Sequence, residues 1–196
     1  YLNVLDKTSI QNVLETHSDI NVLINNAAID PKVTDTMGPS GSFESFSVEE
    51  WDLSVDVMMK GTFLCSQVFC PHFKKSGGGI VINISSDLGV IAPDQRIYER
   101  SKKPITYSAA KHGIIGMTKY LATYYADSNI RVNSLSPGGV YVNQPEDFVE
   151  RLTNLIPIGR MAERDEYKGS IVFLCSDASK YMTGHNLIVD GGRTVW

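Results

Sequence analysis

The sequence predicts an α/β fold, a single parallel sheet with helices packed on both of its faces. Three observations predict it. Short apolar runs rich in β-branched residues recur at residues 20–24, 80–84, 130–135 and 186–189, and strands that are apolar along their whole length are those buried on both faces. Stretches with apolar residues at helical spacing lie between them, the longest over residues 47–75 and 107–126. Each run stops at a polar or glycine cluster, so the chain alternates strand, break and helix, the pattern of βαβ units with parallel pairing.

Taken in order, residues 1–5 alternate weakly and read as the end of a strand. Thr8 with Gln11 forms a capping box, and Ile10, Val13 and Leu14 carry the helix to about His17. Residues 20–24 form a buried strand closed by Asn25-Asn26-Ala27-Ala28. Pro31, Gly38, Pro39 and Gly41 make residues 30–41 a loop. Ser47 and Glu50 form a second capping box, with Phe46 and Trp51 as its hydrophobic staple. That helix runs through Met58, Phe63 and Val68 to Lys75 and ends at Gly77-Gly78-Gly79. Residues 80–84 are the clearest strand, and residues 87–104 are irregular and charged. The helix at 107–126 carries Ile114, Ile115, Met117, Leu121 and Tyr124. The strand at 130–135 is broken by Pro137-Gly138-Gly139. Short helical patterns cover 145–155 and 163–176, and the strand at 186–189 ends at Gly191-Gly192. No internal repeat or linker divides the chain, so residues 1–196 are expected to form one domain.

Composition sets limits on function. The 196 residues are 42% hydrophobic and 20% charged, a globular balance that excludes wholesale disorder. A net charge of -4 argues against a nucleic-acid partner or an anionic membrane surface. No apolar run approaches the roughly 18 residues that span a bilayer. Cys65, Cys70 and Cys175 form no CxxC pair, which points to reduced thiols and a cytoplasmic location. His17, His72, His112 and His185 show no metal-ligand spacing, so no metal is expected.

The chemistry-bearing residues gather at the breaks. Tyr107 and Lys111 stand at i and i+4, on one face of a helix. A cation near a phenol favours the phenolate and makes it a usable acid or base near neutral pH. Tyr98 and Lys102 share the spacing, but they lie in a segment that runs into Pro104, where a helix should not persist. Ser85 and Ser86, Asn25-Asn26, and Pro137-Gly138 each follow a strand. In an open α/β sheet, ligands bind beyond the carboxyl ends of the strands, so these clusters are expected on one rim. Arg96, Arg100, Lys102 and Lys103 crowd the segment before Tyr107, either as a solvated loop or as an anion clamp.

These motifs, in this order, resemble the short-chain dehydrogenase/reductase family of the ordinary, non-extended kind. The matching residues are Asn25-Asn26-Ala27-Ala28, Ser86 after Ile84-Ser85, and Tyr107-Ser108-Ala109-Ala110-Lys111. They continue with Ile130-Arg131-Val132-Asn133-Ser134-Leu135-Ser136-Pro137-Gly138, Phe173-Leu174-Cys175-Ser176-Asp177, and Thr183-Gly184 through Asp190-Gly191-Gly192. Within the family, Gly138-Gly139-Val140, Asn143-Gln144-Pro145-Glu146 and the long segment before Tyr107 are most similar to dehydrogenases of bacterial surface-sugar and flagellin-glycan pathways.

The resemblance implies a Rossmann-like, doubly wound, three-layer α/β/α fold and an NAD(P)-dependent oxidoreductase that interconverts a secondary alcohol and a ketone. It implies that Tyr107 is the proton donor or acceptor, that Lys111 lowers its pKa and holds the nicotinamide ribose, and that Ser86 hydrogen-bonds the substrate oxygen. It places Asn26, Ala27 and Ala28 along the cofactor, Pro137, Gly138 and Val140 beside the nicotinamide, and Asn3 and Val4 at the adenine. The cofactor is NAD or NADP, and the expected assembly is a homodimer or homotetramer. With Arg96 and Arg100 as substrate ligands beside Ser86, the expected substrate is a polar, sugar-like and anionic small molecule.

The sequence departs from the family pattern in three places. By comparison with a complete doubly wound domain the chain begins about one mononucleotide-binding half late, short of roughly 60 residues, and no glycine-rich phosphate fingerprint follows a strand. Weak dinucleotide binding by these 196 residues is the corresponding expectation. Met58 stands where the family has a helix Asn that extends the proton relay, and a thioether is a weak acceptor. Val142 replaces a cofactor-holding Thr, and Ala28 a Gly. The alternatives are a 3-oxoacyl-carrier-protein reductase-like enzyme and a non-catalytic scaffold or partner subunit.

Overall fold

A computed structural model describes residues 2–30, 42–99 and 102–196. Four parallel strands, β1 (Val22–Asn25), β2 (Gly79–Ile84), β3 (Ile130–Pro137) and β4 (Asn186–Val189), lie in sequence order across one sheet. Helix α1 is Lys7–Thr16, α2 is Val48–Val55, α3 is Gly61–Lys75 and α4 is Ile105–Tyr124. Two shorter helices follow, α5 (Glu146–Thr153) and α6 (Lys168–Leu174).

Successive strand residues point to opposite faces, and two cores result. Val81 and Val132 pack with Ile10 of α1, Phe69 and Phe73 of α3, and Ala122 of α4. Their neighbours Ile82 and Leu135 pack with Leu174 of α6 on the other side. The arrangement is the three-layer α/β/α sandwich expected of continuous apolar strands.

Several local expectations change. Residues 2–5 form no strand: Asn3 Oδ1 accepts from the Leu5 N–H at 3.0 Å, an Asx-type turn that leads into the helix. The N-cap of α1 is Asp6, not Thr8. Its carboxylate accepts from Thr8 N–H at 2.9 Å with extended backbone, so the capping carboxylate two residues upstream outcompetes the hydroxyl. The helix expected over 163–176 is shortened to α6. The run 47–75 is helical, but a π-turn at Asp56–Lys60 separates α2 from α3 and buries Met58 completely. The expected loop at 30–41 falls, apart from Asp30, outside the described residues.

One feature of the sheet was not expected. The register aligns Asn25 with Asn83, Asn83 with Ser134, and Ser134 with Asn186, so a polar row crosses all four strands. Asn25 Nδ2 donates to Asn83 Oδ1 at 2.8 Å, and Asn83 Nδ2 donates to Thr118 Oγ1 of α4 at 2.9 Å. Ser134 and Ser136 both donate to Asn186 Oδ1, at 2.9 and 2.8 Å. Asn83 and Ser134 have no exposed surface, and buried amides are tolerated only when partnered.

Asn83→Ala is therefore expected to cost two hydrogen bonds, about 0.5–1.5 kcal/mol each, while Asn25 keeps Ser66 and Thr118 keeps the Ile114 carbonyl. Ser136→Ala, whose acceptor keeps a second donor, should cost markedly less. Urea unfolding of the two variants checks this ordering.

Candidate active site

Strand β2 delivers two serines with different roles. Ser85 Oγ donates to the Lys111 carbonyl at 2.8 Å, tying the strand end to α4. A Cβ on Gly89 would lie 2.4 Å from that hydroxyl and 2.8 Å from the Lys111 carbonyl oxygen, so only glycine fits. Ser86 caps the turn Asp87–Gly89. Its hydroxyl donates to Asp87 Oδ1 at 2.8 Å and accepts from Leu88 N–H at 3.1 Å.

Tyr107 stands in the first turn of α4 and is partly exposed through a cavity. Lys111, one turn on, is buried, with its ammonium 5.6 Å from the Tyr107 ring centroid. Among the described residues that ammonium makes one hydrogen bond, to the Ile84 carbonyl at 2.9 Å. Two of its three donors are left for a bound group, a donor set suited to sugar hydroxyls. A second cation, Lys103 Nζ, sits 3.9 Å over the same ring and pairs with Asp30 at 2.5 Å. Burial pulls the Lys111 pKa down to about 8, with Lys103 acting in the same sense and Asp30 opposing. Burial also pushes the Tyr107 phenol well above its ordinary value, Asp30 adds to this, and a hydrogen bond with Ser86 opposes it. The expected lowering of Tyr107 by Lys111 is not what this structure holds, because desolvation of the phenolate is the larger effect.

Ser86 and Tyr107 open on a cavity of about 390 Å³ beyond the carboxyl ends of β2 and β3. Pro137, Gly138 and Val140 line one side, and Leu88, Phe148, Leu152 and Met161 an apolar end. The segment before Tyr107 contributes Tyr98 and Lys103 to the cavity wall. Tyr98 packs on Phe148 with ring centroids 5.4 Å apart. Arg151 of α5 fastens that segment, donating to the Ile97 carbonyl at 3.0 Å and to Glu99 at 2.6 Å.

Of the residues expected at the site, Ser86, Tyr107, Pro137, Gly138 and Val140 share this cavity, and Lys111 lies behind Tyr107. Asn26, Ala27 and Ala28 are exposed just past β1. Asn3 is engaged in its own turn, and Val4 packs against the start of α3, where a Cβ on Gly61 would come within 2.9 Å of it. Arg96 does not line the cavity. Its side chain is 89% exposed and forks onto Asp94, a pair two residues apart that closes on itself. Arg100 lies outside the described residues. Among the described residues Lys102 hydrogen-bonds the Gln95 carbonyl.

Sequence reasoning missed Asp30, Asp87 and Arg193, and it grouped Lys103 with the loop cations. Asp87 and Arg193 form a buried ion pair in the cavity wall, Nη1 to Oδ2 2.7 Å. Its one sequence signal was an acid directly after the site serine. Both described cations of the cavity, Lys103 and Arg193, are thus neutralised by carboxylates.

The Lys111 shift makes a prediction with a definite sign. A lysine lowered in the folded state disfavours folding while it is protonated, and that penalty fades as pH rises from about 8 towards the ordinary 10.5. Over that window the wild type should gain stability relative to Lys111→Met. Urea unfolding of both proteins at pH 7.5 and 10 measures it, and the difference between them cancels the other titrating groups.

Comparison with known proteins bears on this geometry. The family model described as enoyl-(acyl carrier protein) reductase matches residues 3–194. The trans-4-hydroxycyclohexanecarboxylate dehydrogenase of Sinomonas cyclohexanicum is 38% identical over 181 residues, 92% of this chain and 63% of that protein. The post-translational flagellin modification protein A of Campylobacter coli is 34% identical over 186 residues, covering 94% and 71%. The crystal structure of a short-chain dehydrogenase from Leptospira borgpetersenii with bound NAD+ superimposes with a TM-score of 0.87 at 38% identity, over 98% of this chain and 73% of that one. The likeness extends over nearly all of the chain, and the chain belongs to the short-chain dehydrogenase/reductase family of oxidoreductases.

Proposed function

We propose that this chain interconverts a compact, neutral secondary alcohol and its ketone, with Tyr107 moving the hydroxyl proton, Ser86 hydrogen-bonding the reacting oxygen and Lys111 supporting both. The observation that carries the reading is the meeting of Ser86 and Tyr107 on one cavity at the strand ends, with a buried ammonium one turn behind the phenol. A nicotinamide dinucleotide, NAD or NADP, supplies or accepts the hydride when bound. The free donors of Lys111 would hold its ribose. Pro137, Gly138 and Val140 would border the nicotinamide, and Asn26, Ala27 and Ala28 would run along it.

Protonation follows from the electrostatics. A phenol raised by burial is stocked with its proton at neutral pH, so Tyr107 is ready as the acid for ketone reduction. As a base for oxidation it needs added positive charge close by. Lys111, shifted to about 8, still carries charge through most molecules at pH 7.

The cavity argues for a neutral rather than an anionic substrate. Each described cation in its wall already has a carboxylate partner, and the expected clamp residue Arg96 is turned away. An added phosphate would have to break such a pair inside a low-dielectric site. The apolar end suits the face of a hydroxylated ring, which keeps the polar, sugar-like part of the expectation and drops its charge.

A second copy of the chain is the proposed partner. Phe63 of α3 and the stacked Tyr120 and Tyr124 of α4 are exposed, more aromatic surface than an isolated face usually shows. Among the described residues no helix is long and apolar enough to cross a membrane. The three cysteines are free, and a cytoplasmic location is part of the same proposal.

Two measurements test the reading. Tyr107→Phe should lower turnover by about 10²–10⁴-fold, while Tyr98→Phe, which packs on Phe148, should keep most of it; the reverse result would exchange their roles. Across matched neutral and phosphorylated alcohols, the neutral compounds should show the higher kcat/KM, with a KM nearly independent of salt. A strong preference for the phosphorylated members that fades with salt would restore the anionic reading.

A further inference from the structure

We infer that Lys103 and Asp30 are positioning residues for Tyr107: the Lys103 ammonium holds the face of the phenol ring, and Asp30 offsets its charge there. The inference rests on the reading of Tyr107 as the group that moves the hydroxyl proton.

Lys103 is built into its place. It precedes Pro104, the N-cap of α4, so its own backbone groups stand outside the helix and need other partners. The side-chain amide of Gln95 satisfies both. Lys103 N–H donates to Gln95 Oε1 at 2.9 Å, and Gln95 Nε2 donates to the Lys103 carbonyl at 3.1 Å. The lysine side chain is only 11% exposed. Its ammonium stands 3.9 Å from the Tyr107 ring centroid and ends on Asp30 Oδ1 at 2.5 Å. Asp30 lies 73 positions away, just past β1, so the pair joins two strand-end loops at the tyrosine. A cation packed on a ring face also restrains the ring against rotation.

The charges set what this does. A cation over an aromatic face is drawn to the electron density of the ring, and that density rises when a phenol loses its proton. Alone, the Lys103 ammonium would therefore favour the phenolate. Asp30 holds the same ammonium and acts in the opposite sense, adding to the burial that keeps the phenol protonated. The other titratable groups facing Tyr107 leave this balance to the pair. Asp87, after β2, has its charge met by Arg193 at 2.7 Å. Tyr98, in the preceding segment, is kept neutral by burial. Lys111, on the same helix, stands farther from the ring centroid, at 5.6 Å, and bonds the Ile84 carbonyl. Tyr107 thus rests as an acid beside a cation whose charge Asp30 offsets.

The test is the pH profile of cyclohexanol oxidation by the full-length protein, with whichever of NAD and NADP it turns over faster. Loss of charge from Lys111 would lower turnover as pH rises, so the rising limb belongs to Tyr107. Wild type is compared with Asp30→Asn, Lys103→Met, Lys103→Arg and the double variant Asp30→Asn/Lys103→Met. A charge at this range shifts an acid by about one pH unit or more. Asp30→Asn leaves the ammonium without its counter-charge, so the rising limb should move to lower pH by about that much. Asp30 is half-exposed, so the amide fits without a void. Lys103→Met leaves the carboxylate alone near the phenol, and the limb should move to higher pH by a similar amount. The double variant should return towards the wild-type limb, and Lys103→Arg, which keeps the charge, should hold it there. If Lys103→Met does not fold, Lys103→Gln takes its place. A limb that stays fixed while turnover falls by one factor at every pH would mean that the pair only ties two loops together, and would overturn the inference. So would limbs that move the same way in Asp30→Asn and Lys103→Met. Full turnover in Tyr107→Phe would instead overturn the reading of Tyr107 itself, and this inference with it.

Discussion

Strand register is the constraint on which the rest of the molecule depends. Asn25, Asn83, Ser134 and Asn186 stand level across four parallel strands, and their side chains find partners only at that level. Slipping one strand by a residue would turn its whole set of side chains to the opposite face. Val81 would leave the α3 core, and Asn83 would lose Asn25 and Thr118 together. With the register fixed, Ser85 and Ser86 leave β2 beside the end of β3, and α4 is drawn in by the Ser85 bond to the Lys111 carbonyl. The distance between the serine and the phenol is set by the sheet before any ligand arrives.

Charge in the cavity wall follows a second rule, that ions taken out of water come in pairs. Asp87 answers Arg193, and Asp30 answers Lys103. Lys111 is the exception, a buried ammonium with a carbonyl as its one described partner, and its lowered pKa records the strain of that position. Unpaired donors in a closed site are where a polar ligand gains most, since water has already been given up. The wall is therefore quiet towards charged substrates and still attractive to a polyhydroxyl group behind the tyrosine.

The alternation of apolar runs with helical spacing made the layers and all four strands legible. Tyr107, Lys111 and Ser86 were legible as an ordered set of motifs, because each sits at a break that the pattern itself marks. What stayed hidden was every relation across long sequence separations. Arg193 carried no signal in the sequence and Lys103 stood as one of several loop cations, and only packing brings either to the cavity. Arg96 misled for the same reason: its charge was visible, but its closure on Asp94 two residues away was not. Asp6 rather than Thr8 capping α1 is a smaller case, in which two good capping residues lay close together and backbone conformation chose between them. Burial at Tyr107 could not be weighed against the neighbouring ammonium from spacing alone.

The ion pair between residues 87 and 193 also sets an order of events during synthesis. The two partners are separated by 106 positions, and chains emerge N-terminus first at about 5–20 residues per second. For roughly 5–20 s at those rates, a nascent chain carries Ser86, Tyr107 and Lys111 without the guanidinium that lets Asp87 stay dry. During that interval the carboxylate is better off hydrated, and the turn after β2 has reason to remain open to solvent. The wall of the cavity is then completed only when the turn at residues 193–195 docks, so until that turn has emerged the chain holds Ser86, Tyr107 and Lys111 beside an unfinished cavity.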